Sequence, residues 1–159
     1  MTDFYSCRLV RQGFWALLVA LISGFTLIFS MIGGVSLSPI PLHIPVDIPG
    51  TTEGWRTVHT GMLMNALMAI SIGSSVRLLG VDGDSSRKIF LGCSIAIWGN
   101  FCFYVFGMFA PNHGLTLQSN TLGAASLSGA LAFFPALLGA VSLIYVVVIV
   151  LLSKPGNRF

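Results

Sequence analysis

Four polar side chains interrupt otherwise apolar stretches: His59 and Asn65 in one, Asn100 and Tyr104 in the next. Inside a membrane such groups cost free energy unless each has a partner or a task, so chemistry is sought there first. An imidazole is a metal ligand or proton carrier. Amides and a phenol can glue helices together or hold a reacting polar group. Asn100 and Tyr104 are four apart and share a helix face. His59 and Asn65 are six apart, roughly 120° around a helix at about 3.6 residues per turn. His59 can therefore address one neighbour while Asn65 points into another groove, and a pocket between subunits would accommodate both directions.

Each of these residues also has an ordinary role. An interfacial histidine often contacts headgroups, intramembrane asparagines often bridge helices, and tyrosines near an interface join the aromatic belt, as Trp55 and Trp98 can. His43 and His113, with Asp47 and Glu53, add polar groups on the same side. Their spacing matches no metal-ligand motif, and solvated loop charges are the simpler account.

The elements that position these groups follow from composition. The chain has 159 residues, 55% hydrophobic and 8% charged, with a mean hydropathy of +0.89. No soluble domain of that size hides so much apolar surface. A spanning helix needs roughly 20 mostly apolar residues, and such runs extend from Phe14 to about Val35, Thr57 to about Arg77, Lys88 to about Ala110 and Ser128 to about Leu152. The expectation is an all-α integral membrane protein, a four-helix transmembrane bundle forming one domain over residues 1–159. Pro39, Pro41, Pro45 and Pro49 exclude helix between the first two runs. Val81-Asp82-Gly83-Asp84 reads as a tight turn, Pro111-Asn112-His113-Gly114 as a stop, and Pro135 as a kink in the last run. The first run is too long for a removed signal peptide and lacks a small-residue cleavage site, so it reads as retained.

Arg8, Arg11, Arg77, Arg87, Lys88, Lys154 and Arg158 fall on one side and Arg56 on the other, which predicts cytoplasmic N and C termini. Anionic lipid headgroups account for the basic excess, with no nucleic-acid partner required. Cys7, Cys93 and Cys102 have no paired spacing and read as free thiols. By helical rise, His59 and Asn65 lie roughly 3 and 12 Å below the outer start of the second run. Tyr104 and Asn100 lie roughly 9 and 15 Å below the outer end of the third, so the four share one layer in the outer half.

Two separated blocks carry a resemblance that composition cannot supply. The stretch from Ile48 through Pro49-Gly50-Thr51-Thr52-Glu53-Gly54-Trp55-Arg56-Thr57-Val58-His59-Thr60-Gly61 to Asn65 resembles styrene oxide isomerases of bacterial styrene degradation. Asn100-Phe101-Cys102-Phe103-Tyr104 and Phe109-Ala110-Pro111-Asn112-His113-Gly114-Leu115-Thr116 resemble a second block of that family, in the same order and register. The resemblance implies a multi-pass enzyme of the bacterial inner membrane, a homotrimer with haem b between neighbouring subunits. It would isomerise styrene oxide, a small apolar aryl epoxide, to phenylacetaldehyde by a Meinwald rearrangement. It implies His59 as the ligand of ferric haem iron, Asn100 as a further cofactor contact, and Asn65 and Tyr104 as the catalytic pocket pair. Phe101, Phe103 and Trp98 become candidates for a water-excluding wall, and functional coupling to a styrene monooxygenase is expected. Two positions depart from the family pattern: a carboxylate one to two turns before the tyrosine is here Ala96, and an outer-loop arginine is His113.

Two other classes remain open on the residues alone. A haem-binding electron-transfer anchor like a small cytochrome b usually needs two histidines across a haem, and here only His59 lies within a run. A non-catalytic tetraspan scaffold would bind no cofactor and use its polar groups as interhelical glue.

Overall fold

A computed structural model describes residues 2–153. It contains α1 (Thr2–Ile32), a hairpin of β1 (Gly34–Ser36) and β2 (His43–Pro45), then α2 (Thr52–Leu78), α3 (Gly83–Gly107) and α4 (Leu127–Leu152). All four helices are long and apolar enough to cross a membrane, as a multi-pass protein requires. Lys154 and Arg158 lie outside the described residues.

The helix boundaries follow local chemistry. Thr51 caps α2, its Oγ1 accepting from the Gly54 N–H at 3.0 Å, and Ser126 caps α4, its Oγ accepting from the Gly129 N–H at 3.1 Å. Asp82 caps α3, accepting from the backbone N–H groups of Asp84 and Ser85 at 3.0 and 2.9 Å. Hydrogen bonds from the Ser85 hydroxyl and then its backbone hold the Asp82 carboxyl below its ordinary range. This cap is therefore intact above the ordinary carboxylate range and fades as pH falls through the lowered value.

α1 starts well before its apolar run. Its first turns are amphipathic, with Ser6 and Leu9 buried while Arg8 and Arg11 are exposed, and the Ser6 hydroxyl donates to the Gly73 carbonyl of α2. The proline-rich segment forms the short antiparallel hairpin, pairing Gly34 with Pro45 and Ser36 with His43. Among the described residues this hairpin is the one departure from an all-helical fold.

α1 packs chiefly on α2 and α3 on α4, with thinner seams between α2 and α3 and between α1 and α3. Close approach in the α3–α4 seam depends on Gly99, where a Cβ would collide with the Pro135 carbonyl. Leu9, Ala16, Ala20, Val58, Met62, Ile89, Cys93 and Ile97 belong to the buried core. Large apolar side chains on α1 and α4, such as Phe25 and Leu138, stay exposed as lipid or a second subunit would require.

Candidate functional site

The four polar residues lie on two sides of α2. Asn65 is 4% exposed and accepts at Oδ1 from the Asn100 Nδ2 across the α2–α3 seam, at 3.0 Å. With Oδ1 occupied, its Nδ2 is the donating end, directed weakly at Met62 Sδ at 3.7 Å, and the Tyr104 hydroxyl lies beside the Asn65 side chain. Gly61 makes room for that phenol: a Cβ there would stand 2.9 Å from the Tyr104 oxygen and closer still to the ring. Asn65, Asn100 and Tyr104 are thus one connected set.

His59 is not part of it. Its ring turns to α1, with Nδ1 2.8 Å from the Ala20 carbonyl oxygen. Gly24 completes the seat, since a Cβ at that position would stand 2.9 Å from Nδ1 and 3.0 Å from Cε1. A protonated Nδ1 bonded to a backbone carbonyl fixes the tautomer and leaves Nε2 as the nitrogen with a lone pair to offer. Asn100, read as a cofactor contact from the sequence, points its amide at Asn65 rather than into the His59 seat.

Tyr104 lines a cleft of about 500 Å³ at the start of α2 and the end of α3, together with Thr57, Phe103, Met108, Pro111 and Leu122. That volume is within the roughly 300–1,000 Å³ of small-molecule sites. The Phe103 ring stands 5.9 Å from that of Tyr104, while Trp98 is exposed and meets Phe101 edge-on at 6.0 Å. Of the three proposed wall residues, Phe103 alone lines this cleft. Glu53 and His113 edge it. Among the described residues no three His, Cys, Asp or Glu side chains converge as a metal site. Ala96 is buried at the α3–α4 seam opposite Gly139.

The residue that sequence reasoning missed is Asn112. It is 0% exposed, donates from Nδ2 to the Thr116 and Gln118 carbonyls at 2.8 and 3.2 Å, and accepts at Oδ1 from the Gly114 N–H at 3.1 Å. It thereby shapes the loop that forms one rim of the cleft. The available signal was an asparagine two residues before a glycine, the pattern of a side chain closing a turn on its own backbone. Asn112→Ala is expected to leave these groups unsatisfied at a cost of about 1–3 kcal/mol. Proteolysis after Leu115 or Leu117 then quickens, and an unchanged cleavage rate would refute the anchoring role.

The family model described as styrene oxide isomerase matches residues 5–154, a stretch that contains every residue of the site. Over 140 residues the chain is 29% identical to a styrene-oxide isomerase of Pseudomonas fluorescens, covering 87% of this chain and 81% of that one.

Proposed function

The chain belongs to the styrene oxide isomerase family and is an isomerase, and from that premise we propose that it rearranges styrene oxide and related aryl epoxides to aryl acetaldehydes in the cleft lined by Tyr104. The observation that carries this reading is the polar cluster at the cleft wall, in which Asn100 donates to Asn65 and the Tyr104 hydroxyl stands beside that amide and lines the cleft. The Tyr104 phenol carries an O–H that it can donate into the cleft.

In the substrate, the benzylic C–O bond breaks, a hydride moves from the neighbouring carbon to the benzylic carbon, and the oxygen becomes the aldehyde carbonyl. Atoms and electrons balance without water or a second substrate. Negative charge grows on oxygen as the bond opens, and the Tyr104 O–H is the donor that meets it. Asn65 is buried beside that phenol, off the cleft wall of a single protomer, and supports Tyr104 from behind. Asn100 fixes the Asn65 amide and acts as a positioning residue. Phe103 helps exclude the water that would trap the benzylic cation as a diol.

The donor set also fits a haem. His59 is half-buried, its Nδ1 is bonded to a carbonyl, and its Nε2 is the atom that would hold the iron. Bound there, ferric haem b would supply Lewis-acid chemistry to the epoxide oxygen. Because His59 faces α1 and Tyr104 faces the outer cleft, a pocket that uses both is completed by a second copy, and the assembly we assign is a homotrimer. The end bearing Arg8, Arg11, Arg77, Arg87 and Lys88 faces the cytoplasm of a bacterial inner membrane on the basic-residue rule. A styrene monooxygenase is the natural supplier of the epoxide.

The test is the visible absorption spectrum of detergent-purified protein while styrene oxide is added and phenylacetaldehyde is measured in the headspace. A haem band that shifts with epoxide, accompanied by aldehyde, is the expected result. A band indifferent to epoxide and reduced by quinol would instead indicate electron transfer, and protein without haem would overturn the cofactor assignment. Gly24→Ala supplies a sharper check. Its new Cβ displaces the His59 ring from Ala20, so haem retained through purification is expected to fall several-fold. Full retention would refute the seat.

A further inference from the structure

At the opposite end of α1, Arg8, Arg11, Gln12 and Trp15 form a second cleft of about 290 Å³ with Phe90 of α3. The Arg8 guanidinium is held over two rings, 5.3 Å from the Phe4 centroid and 5.0 Å from that of Phe90. Such stacking orients the cation and leaves its N–H edge to bind an anion. Among the described residues neither Arg8 nor Arg11 has an ion-pair partner. Gln12 adds an independent sign that something is missing from the protomer: its Oε1 is buried with no hydrogen-bond donor. An acceptor left unpaired in this way destabilises the protomer. Gln12 itself lines the cleft, so its amide stands within reach of a bound group.

We propose that this cleft binds the headgroup of an anionic phospholipid, its phosphate on Arg8 and Arg11 and a headgroup hydroxyl donating to Gln12. Phosphatidylglycerol has that combination of charge and donor. The exposed stripe of α1 separates a lipid from a free phosphate. From Arg8 and Arg11 it runs through Trp15 to Leu18, Ile22 and Phe25, all exposed, so basic groups, an interfacial indole and apolar side chains follow in the order of a lipid's phosphate, glycerol and acyl chain. Gln12 precedes Gly24 by about 18 Å of helix, which sets this site apart from the His59 seat.

Native mass spectrometry of the full-length detergent-purified protein tests the proposal. Phosphatidylglycerol is titrated against phosphatidylcholine of the same acyl chains, and inorganic phosphate is added as competitor. The expected result is at least tenfold tighter retention of phosphatidylglycerol, reduced about tenfold in Arg11→Gln, a substitution at an exposed position that leaves packing intact. Gln12→Leu should narrow the preference for phosphatidylglycerol over phosphatidic acid, which lacks the headgroup glycerol. Equal retention of the two lipids, or no loss in Arg11→Gln, overturns the site. Displacement by equimolar inorganic phosphate overturns the lipid in favour of a free anion.

Discussion

Tyr104→Phe is expected to lower styrene oxide turnover about 10²- to 10³-fold, the usual loss when one donor to a developing oxyanion is removed. The substitution deletes one oxygen and keeps the ring that Gly61 accommodates, so the packing of α2 on α3 survives. Haem content is therefore unchanged and the loss falls in kcat rather than KM, because the donor acts as charge develops. Steady-state kinetics beside a haem titration reads both. A tenfold or greater rise in KM at constant kcat would show that Tyr104 merely binds the epoxide.

His59→Ala is expected to abolish both the haem band and aldehyde formation, a larger effect than at Tyr104. The carbonyl of Ala20, which now meets Nδ1 at 2.8 Å, is left facing the space of the lost ring. Imidazole added to the variant should restore part of the band, since the seat beside Gly24 is shaped for that ring. Full haem with full turnover in His59→Ala would move the ligand to another residue.

The four helices were legible because a membrane span is written in composition, and the α2–α3 turn because Asp82 and Gly83 carry capping chemistry. The divergence of His59 from Asn65 followed from helical periodicity alone. The sequence could not show that Asn100 answers Asn65, because that depends on the rotation of α3 against α2. Gly24 and Gly61 were equally opaque. A glycine's value in a seam is set by what stands across it, here an imidazole and a phenol. The hairpin was hidden by its prolines, which rule out helix interior without specifying a strand. Asn112 was read as part of a stop, while its buried bonds reach onward to Gln118.

On the proposed roles, α2 is a ruler. His59 and Asn65 project from one helix, α2, about 9 Å apart along its axis, and each is gripped by a different neighbour. The hairpin and the Asn112 loop can shift with bilayer thickness or temperature without altering that interval. Membrane composition should accordingly tune how readily the epoxide enters and the aldehyde leaves, while the rate of the rearrangement itself stays insensitive to it.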